Sequence, residues 1–281
     1  MAKIPAKVRE RYIKQVSRFQ KILTAARKRD VNEADTVSII QDMLGEVFGF
    51  DKYLEVTSEY AIRGTFCDLA IKIDDKIQYL LEVKAIGTEL KPAHLKQAVD
   101  YAANHGVQWV VLTNGIVWEL HRMRYERPID HDQVSSFSFL EIRARNEEDQ
   151  QKLFLLSRRG LSGSVREEFY ERVQSVNRHV IGALIQSPDC IKLVRRNLRK
   201  MVPGLKVEEK EIEAIIHDEV LKRDITESDE ASQAIAKVRK FVKKKVKRSA
   251  KRTAKKMNTS KQTVVKALPP NSSWSSGSGH D

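Results

Sequence analysis

The residues with the clearest chemical potential are two acids and a lysine, Asp68, Glu82 and Lys84, which stand in two apolar segments of alternating pattern. Two adjacent carboxylates form an oxygen-rich site of the kind that Mg²⁺ occupies together with water and a substrate phosphate. Such a metal polarises a phosphodiester and ionises an attacking water, while a neighbouring ammonium group can orient that water or neutralise developing charge. These residue types predict metal-dependent phosphodiester hydrolysis if folding brings them together.

The apolar residues of the two segments predict a hairpin that would do so. With a three-residue loop at Asp74-Asp75-Lys76, the buried face carries Cys67 and the cross-strand pairs Ile73 with Ile77, Ile71 with Tyr79, and Leu69 with Leu81. The same register sets Asp68 opposite Glu82 on the other face, with Cβ atoms roughly 5 Å apart. Because side chains two positions apart share a face of a strand, Lys84 joins them.

The spacing of these three residues is a weak signal by itself. Glu208 and Lys210 repeat the Glu-x-Lys pattern in a segment that is predicted to be helical. Asp68, Glu82 and Lys84 could equally form a solvated charged face, whose ion pairs would contribute little to stability. The strand geometry alone leaves both interpretations open.

The elements that must position this patch are predicted around it. A basic amphipathic helix covers 1–30, and a second helix follows the cap residue Asn32, carries Glu33 and Asp35 in its first turn, and ends at Gly49. The remaining strands and helix are predicted in the order Leu54–Ile62, Thr65–Ile73, Ile77–Val83, Pro92–Asn104, Val107–Leu112, Ile116–Leu120 and Ser136–Ile142, with a hairpin at Asn114-Gly115. This order predicts an α/β fold with a mixed sheet flanked by helices.

The chain changes character after Glu147 and is predicted to be all-helical. The predicted helices are Leu153–Leu156, Val165–Ile185, Ile191–Met201 and Val207–Leu221, with a domain boundary near Arg158-Arg159-Gly160. The predicted organisation is an N-terminal helix at 1–30, an α/β domain at 31–147, a helix and hinge at 148–164, a helical domain at 165–236, a basic helix at 237–257 and a disordered tail at 258–281.

Several short motifs, in order, resemble a known family. They are Asn32-Glu33-Ala34-Asp35-Thr36, Val56–Tyr60, Cys67-Asp68, Leu81-Glu82-Val83-Lys84, Gln97–Tyr101 followed by Ala102, and Leu112-Thr113-Asn114-Gly115. Over about 30–125 the sequence resembles the nuclease domain at the N-terminus of type I restriction enzyme R subunits, within the PD-(D/E)xK superfamily. The resemblance implies a restriction-endonuclease-like fold. The chain departs from the superfamily's name in having Cys67 where a proline often stands.

The resemblance also implies roles for individual residues. Asp68 and Glu82 correspond to the two metal-binding acids, and the carbonyl of Val83 to a further metal ligand. Lys84 corresponds to the catalytic lysine. Glu33 corresponds to a glutamate of the first helix that supports the site. The implied cofactor is Mg²⁺, with Mn²⁺ as an alternative.

Gln97 and Tyr101 match a helical Gln-x-x-x-Tyr motif, which the resemblance places beside the site and against the DNA backbone. Their spacing puts both side chains on one side of a helix. Plainer interpretations stay open, with Gln97 as a surface amide and Tyr101 as a packing residue. Glu33 could also be a helix-terminal acid that complements the helix dipole, and Asp35 and Glu46 are rival acids on the same helix.

The formal net charge of +13 is concentrated near the C-terminus. Twelve lysines and arginines and no acid lie between Lys237 and Lys256, so the rest of the chain is nearly neutral. A narrow apolar stripe is predicted on this segment, with Val238, Phe241, Val242, Val246 and Ala250 as its members. The candidates for nucleic-acid contacts are Lys243, Lys244, Lys247 and Arg248, which such a helix could lay along phosphates. A solvated charged face is the alternative.

Other classes of protein are disfavoured by the sequence. No apolar run is long enough for a transmembrane helix, and no secretory signal is predicted, so we expect a cytoplasmic protein with no membrane association. Cys67 and Cys190 are expected to be reduced thiols. Neither a phosphate-binding loop of an ATPase nor a zinc-binding spacing is present.

The function expected from these residues is Mg²⁺-dependent endonucleolytic cleavage of DNA, in restriction or defence against foreign DNA. A homodimer is the natural arrangement for cutting both strands with one site per chain, and a separate motor or defence subunit is a further expected partner. Two alternatives stay open at this point. One is a non-catalytic DNA-binding module that acts with a partner nuclease or motor, and the other is a role in RNA processing.

Overall fold

Residues 3–62, 65–161 and 165–244 are described by the structure, a computed structural model. They form a six-stranded mixed sheet with helices packed on it, followed by further helices, so the predicted α/β class is confirmed. The chain divides into two units, unit 1 over Met1–Gln174 and unit 2 over Ser175–Asp281.

Unit 1 contains six strands and five helices within its described residues. In chain order they are α1 (Ala6–Arg29), α2 (Glu33–Met43, continued by a wider turn at Leu44–Phe48), β1 (Val56–Ile62), β2 (Thr65–Ile73), β3 (Lys76–Val83), α3 (Pro92–His105), β4 (Trp109–Thr113), β5 (Val117–Arg124), β6 (Asp130–Ser138), α4 (Glu147–Leu156) and α5 (Val165–Ser175). Cap residues set the ends of two of these helices. Asn32 accepts a bond from the amide of Asp35 at the start of α2, and Gly106 ends α3 with a φ of 68°.

The six strands lie side by side in the order in which they occur in the chain. Strands β3 and β4 run parallel, with α3 as the connection between them, and the other neighbouring pairs run antiparallel. Parallel pairing brings the C-terminal ends of β3 and β4 to the same edge of the sheet. The residues that follow Val83 therefore lie beside the turn that follows Thr113.

Apolar side chains cover both faces of the sheet. On one face Leu69, Ile71 and Leu81 join the main core with α1 and α2, whose residues Phe19 and Ile40 are fully buried there. On the other face a smaller cluster joins the sheet to α3, and its members include Cys67, Ala70, Leu80, Leu95, Ala98, Tyr101 and Val110. The sheet is thus held between helices, and its central strands can position polar groups only at their ends.

The hairpin between β2 and β3 has the predicted register near the carboxylates and a different one at its tip. Ile71 pairs with Tyr79 and Leu69 with Leu81, as predicted. The three-residue loop is wrong: Asp74 and Asp75 form a two-residue turn with φ of 48° and 59°, and Ile73 pairs with Lys76. A turn of this left-handed type matches the twist of the strands, and a bulge next to Ile71 absorbs the extra residue.

Three further expectations need correction. Cys67 packs in the cluster under α3 instead of with Leu69 and Ile71. The predicted strand at 136–142 is instead the second half of β6, which ends at Ser138 because the buried Phe139 turns inward and its amide donates to the carbonyl of Ile116. The predicted helix at 165–185 is interrupted at 176–177, where Asn177 caps a new helix by accepting from the amide of Val180.

The division between the two units falls at Gln174, later than the boundary predicted near Arg158. Both carboxylate oxygens of Glu55 accept from Nε of Arg158, at 2.6 Å and 2.9 Å. Farther along, the guanidinium of Arg166 is buried over the ring of Trp109, with 4.9 Å between guanidinium carbon and ring centre. The segment that was predicted as a hinge is therefore anchored to the sheet unit as far as it is described, and 162–164 lie outside the described residues.

Unit 2 is helical throughout its described residues. Its helices are α6 (Arg178–Ile185), α7 (Pro188–Met201), α8 (Glu209–Ile215, continued by a wider turn at Ile216–Val220), α9 (Arg223–Thr226) and α10 (229–244). They enclose two small apolar clusters, one around Val180 and Val238 and the other around Ile191 and Ile212. None of the helices in the described residues combines the length and the apolar character needed to cross a membrane. The predicted tail at 258–281 lies outside the described residues.

Candidate active site

The first two candidate residues meet at the end of the β2–β3 hairpin. Leu69 pairs with Leu81, and Asp68 and Glu82 adjoin that pair, one on each strand, where the paired segment ends. One carboxylate oxygen of Asp68 accepts a bond of 2.7 Å from the backbone amide of Val83. This bond orients the Asp68 carboxylate toward the end of β3.

Lys84 joins the two strands to α2. Its Nζ donates to Oε1 of Glu82 at 2.7 Å and lies 3.6 Å from Oε2 of Glu33. Glu82 is buried, Lys84 is about one-fifth exposed and Glu33 is half-exposed, so the group runs from the protein interior to the surface. The structure thus brings together four of the predicted residues, Glu33, Asp68, Glu82 and Lys84.

The electrostatics of the group reflect three carboxylates around one ammonium. Burial raises the pKa of Asp68 above its usual value, against the opposing effects of the Val83 amide and the Lys84 charge. Burial also raises the pKa of Glu82, and the charges of Asp68 and Glu33 add to this effect against the bond from Lys84. For Lys84, burial lowers the pKa, but the bond to Glu82 and the surrounding carboxylates outweigh it, and the net shift is upward.

One buried carboxylate oxygen of the site lacks a hydrogen-bond donor among the described residues. Oε2 of Glu82 is buried and accepts no hydrogen bond from any group in the described residues. A buried carboxylate oxygen without a donor is costly, and a cation relieves that cost. Asp68 and Glu82 are therefore the carboxylates of this site that could hold a hard divalent ion.

The described residues hold no group of three or more histidine, cysteine or acidic side chains arranged to bind a metal. The side chains available for a metal are thus the two carboxylates of Asp68 and Glu82. Mg²⁺ commonly binds with one or two carboxylates and keeps several waters, so this supply is sufficient for that ion. Val83 contributes its amide to Asp68, and its carbonyl stays a predicted ligand.

Two residues that sequence reasoning did not select hold the loop after Lys84. The Oγ1 of Thr36 accepts from the amide of Ile86 at 3.1 Å, and Nδ2 of Asn114 donates to the carbonyl of Thr88 at 2.9 Å. Oδ1 of Asn114 also accepts from the amides of Ile116 and Val117 in its own turn. The Asn114-Gly115 pair predicts a hairpin and belongs to one of the motifs of the resemblance, but neither use assigns Asn114 a role, although its position after β4 places it beside the end of β3.

The helix motif on α3 is divided between surface and core. Gln97 is exposed, whereas Tyr101 is buried in the cluster that contains Leu95 and Ala98. The ring of Tyr101 also lies 4.7 Å from the ring of His105, measured between centroids. Tyr101 is therefore at least a packing residue, as the plainer interpretation held.

Of the acids on the second helix, Glu33 lies within ion-pair distance of Lys84, whereas its rivals Glu46 and Asp35 do not. Glu46 forms an ion pair with Arg18 of α1. Asp35 is exposed in the first turn of α2, where its amide donates to the cap residue Asn32. Glu33 is the acid of α2 that lies within ion-pair distance of Lys84.

The basic C-terminal segment is described only as far as residue 244. Lys243 and Lys244 are exposed at the end of α10, whereas Lys247 and Arg248 lie outside the described residues. The predicted apolar stripe is narrower than expected there, because Val238 and Val242 face the cluster around Val180 while Phe241 is 59% exposed.

Comparison of the chain with protein-family models, with curated proteins and with solved structures finds no match. The class that fold and geometry define is therefore a mixed α/β protein with two paired carboxylates and a lysine at one sheet edge.

Proposed function

We propose that this protein is a metal-dependent nuclease that hydrolyses phosphodiester bonds in DNA with Mg²⁺, or with Mn²⁺ in its place. The observation that carries the proposal is the buried, unpartnered Oε2 of Glu82, beside Asp68 and bonded through its other oxygen to Lys84. The sequence resemblance to the nuclease domain of type I restriction enzyme R subunits supports the same conclusion, and with it a restriction-endonuclease-like arrangement of the sheet.

The charge balance of the site argues for a metal-assisted reaction. Three carboxylates and one ammonium leave an excess of negative charge, which would repel the phosphate of a nucleic acid. Mg²⁺ held by Asp68 and Glu82 would supply positive charge for the phosphate and acidify a water molecule. Glu82 would then serve two neighbours, the metal through Oε2 and Lys84 through Oε1.

Lys84 has the properties of a charge-stabilising group. Its raised pKa keeps the amine protonated at neutral pH, so it can donate to an attacking water or to the phosphate oxygens but cannot accept a proton. Glu33 holds the ammonium from the side of α2. Gln97 and the basic residues Lys243, Lys244, Lys247 and Arg248 are the proposed contacts to the DNA backbone, whereas Tyr101, whose side chain is buried, would support the position of Gln97 on α3.

The proposed setting follows from the resemblance. It is restriction or defence against foreign DNA in the cytoplasm, with a homodimer supplying two sites for double-strand cleavage and a separate motor or defence subunit as a further partner. A DNA-binding module without its own catalysis is the alternative.

The test is plasmid cleavage by the purified full-length protein in Mg²⁺, in Mn²⁺ and in EDTA. We expect cleavage with either metal and none in EDTA. Lys84→Ala should reduce the rate by about 10²–10³-fold, because it removes a charge that acts on the transition state. The matched control is Lys76→Ala, an exposed lysine at the other end of the same strand, and it should cleave like the parent.

Two outcomes would overturn the proposal. Undiminished cleavage by Lys84→Ala would mean that the site is elsewhere. Tight DNA binding without cleavage in either metal would favour the non-catalytic module, and preferential cleavage of RNA over DNA in a competition would reassign the substrate.

A further inference from the structure

Helix α7 of unit 2 has two chemically opposite sides. Ile191, Val194 and Leu198 face a small apolar cluster that also contains Val207 and Ile212. The opposite side carries a row of cations, namely Lys192, Arg195, Arg196, Arg199 and Lys200. This basic row lies outside the C-terminal segment that dominates the net charge of the chain.

Most of these cations form no ion pair with the rest of the described chain. Arg195 is the exception, since its Nε donates to the carbonyl of Val207 at 2.9 Å and its Nη1 to Glu209 at 3.1 Å. The other four cations, Lys192, Arg196, Arg199 and Lys200, are exposed and form no ion pair within the part of the chain that the structure describes. Like charges at helical spacing repel one another, so the row destabilises the free protein unless an anionic partner covers it.

The row and its surroundings form a shallow groove. Its volume is about 460 Å³, and five of its six lining residues are the cations of α7, with Glu209 as the sixth. From Lys192 to Lys200 the helix rises about 12 Å, at 1.5 Å per residue. A nucleic-acid strand presents three to four phosphates over roughly that length, at 3.4 Å of axial rise each.

The chemistry of the row favours nucleic acid over a membrane surface. An amphipathic helix that lies on a membrane buries its apolar side in the lipid. The apolar side of α7 is already packed against Val207, Ile212 and Ile216. The exposed part of α7 carries Leu193 and Met201 but is mostly cationic, and its Arg196 and Arg199 present the planar donor pairs that suit phosphate oxygens.

We propose that the exposed basic row of α7 binds the phosphodiester backbone of nucleic acid without regard to base sequence, as a second contact surface separate from the carboxylate site. The choice of DNA as its ligand rests on the proposed nuclease function. The binding itself needs neither metal nor cleavage.

The test is equilibrium binding of a fluorescent 30-base-pair duplex to the full-length protein in EDTA at several salt concentrations. Arg196→Gln/Arg199→Gln should bind about tenfold more weakly, and the slope of log affinity against log salt should decrease by about 2. The control is Lys14→Gln/Lys21→Gln, which removes the same charge from exposed positions of α1 and should change neither quantity. The basic segment after residue 237 is common to all variants, so the difference reports on α7.

Equal affinity and salt slope in the α7 and control variants, with unchanged melting temperatures, would overturn the proposal. The proposal would also be overturned if the α7 variant lost binding to phosphatidylserine vesicles but bound DNA as tightly as the parent protein. Lys84→Ala serves to separate this proposal from the nuclease function. If DNA binding is weaker in the α7 variant but not in Lys84→Ala, the basic row is supported, even when no protein in the series cleaves DNA.

Discussion

The Oγ1 of Thr36 accepts a hydrogen bond of 3.1 Å from the amide of Ile86, and this bond ties α2 to the loop that follows β3. Thr36 lies one turn after Glu33, and Ile86 lies two residues after Lys84. The same hydroxyl donates to the carbonyl of Asn32 at 2.8 Å, so it is oriented from within the helix. The elements that carry Glu33 and Lys84 are therefore joined by a hydrogen bond of an uncharged side chain, independently of the ion pair.

Asn114 supports this loop from the side of β4, and its replacement should loosen the site. Asn114→Ala leaves the amides of Ile116 and Val117 and the carbonyl of Thr88 without their partner. We expect a loss of about 1–3 kcal/mol in the free energy of unfolding, measured by urea denaturation, since the amide of Ile116 is the fully buried group among the three and the other two are partly exposed to water. Asn114→Asp keeps the acceptor oxygen and should lose less. Equal stability of Asn114→Ala and the parent protein would contradict this account.

Asp68→Asn should stabilise the metal-free protein. Because the folded pKa of Asp68 is raised, the ionised carboxylate opposes folding at neutral pH, and this penalty disappears as the pH falls below the ordinary value of 3.8. In EDTA at pH 7 we expect a gain of about 0.5–2 kcal/mol, the range typical of stabilising changes at functional sites. The measurement is thermal unfolding at pH 7 and pH 3.5.

Addition of Mg²⁺ should reverse that order. With Asp68 and Glu82 as the proposed carboxylate ligands, the parent protein should gain the free energy of metal binding, whereas Asp68→Asn should gain less because it lacks one of them. A shift of the melting temperature by Mg²⁺ that is equal in both proteins would count against Asp68 as a ligand.

His121 should make the protein sensitive to acid. Burial, followed by the charge of His131, lowers the pKa of His121 to about 4, whereas an unfolded histidine titrates near 6.5. The unfolded chain then binds a proton that the folded chain refuses, so stability present above pH 6.5 is lost as the pH falls toward 4, by up to about 3 kcal/mol. His121→Leu should show a smaller loss between pH 7 and 4.5 in urea titrations. The exposed His217, replaced by Gln, is the control, and an equal loss in His121→Leu and the parent would refute the assignment.

The two cysteines should differ sharply in reactivity. Burial and the charges of Glu82 and Asp68 raise the pKa of Cys67 to about 12, and its thiol donates to the carbonyl of Leu81 at 3.0 Å. Cys190 is partly exposed. At pH 8 we expect a disulfide reagent to modify one thiol in the native protein and both in denaturant. Cys190→Ser should react only when it is unfolded, and rapid native reaction of that variant would show that Cys67 is accessible.

The part of the site that sequence could predict is the part fixed by alternation along strands. The apolar residues Leu69, Ile71, Tyr79 and Leu81 can face the core in one register only, and its Leu69–Leu81 pair brings Asp68 of β2 close to Glu82 of β3. The spacing of two residues then places Lys84 on the same face. No knowledge of distant elements is needed for this step.

The remaining features depend on contacts that the sequence pattern does not contain. The two-residue turn at Asp74-Asp75 and its compensating bulge leave the core pairs unchanged, so alternation cannot distinguish them from a longer loop. Asn114 meets the loop after Lys84 because β3 and β4 are parallel neighbours, and Thr36 meets it because α2 packs beside the end of β3. The burial of Arg166 over Trp109 is equally absent from the pattern, because a charged residue is normally expected at the surface.

The turn at Asp74-Asp75 has a practical consequence. From the Leu69–Leu81 pair to the Ile73–Lys76 pair the hairpin extends four residues, about 13 Å at 3.3 Å per residue, away from the carboxylates. Both turn residues are exposed. A dye, an affinity handle or a short inserted peptide at this tip would sit at the opposite end of the hairpin from the acids. Molecules tethered to a surface through this tip would keep the carboxylate end of the hairpin unobstructed.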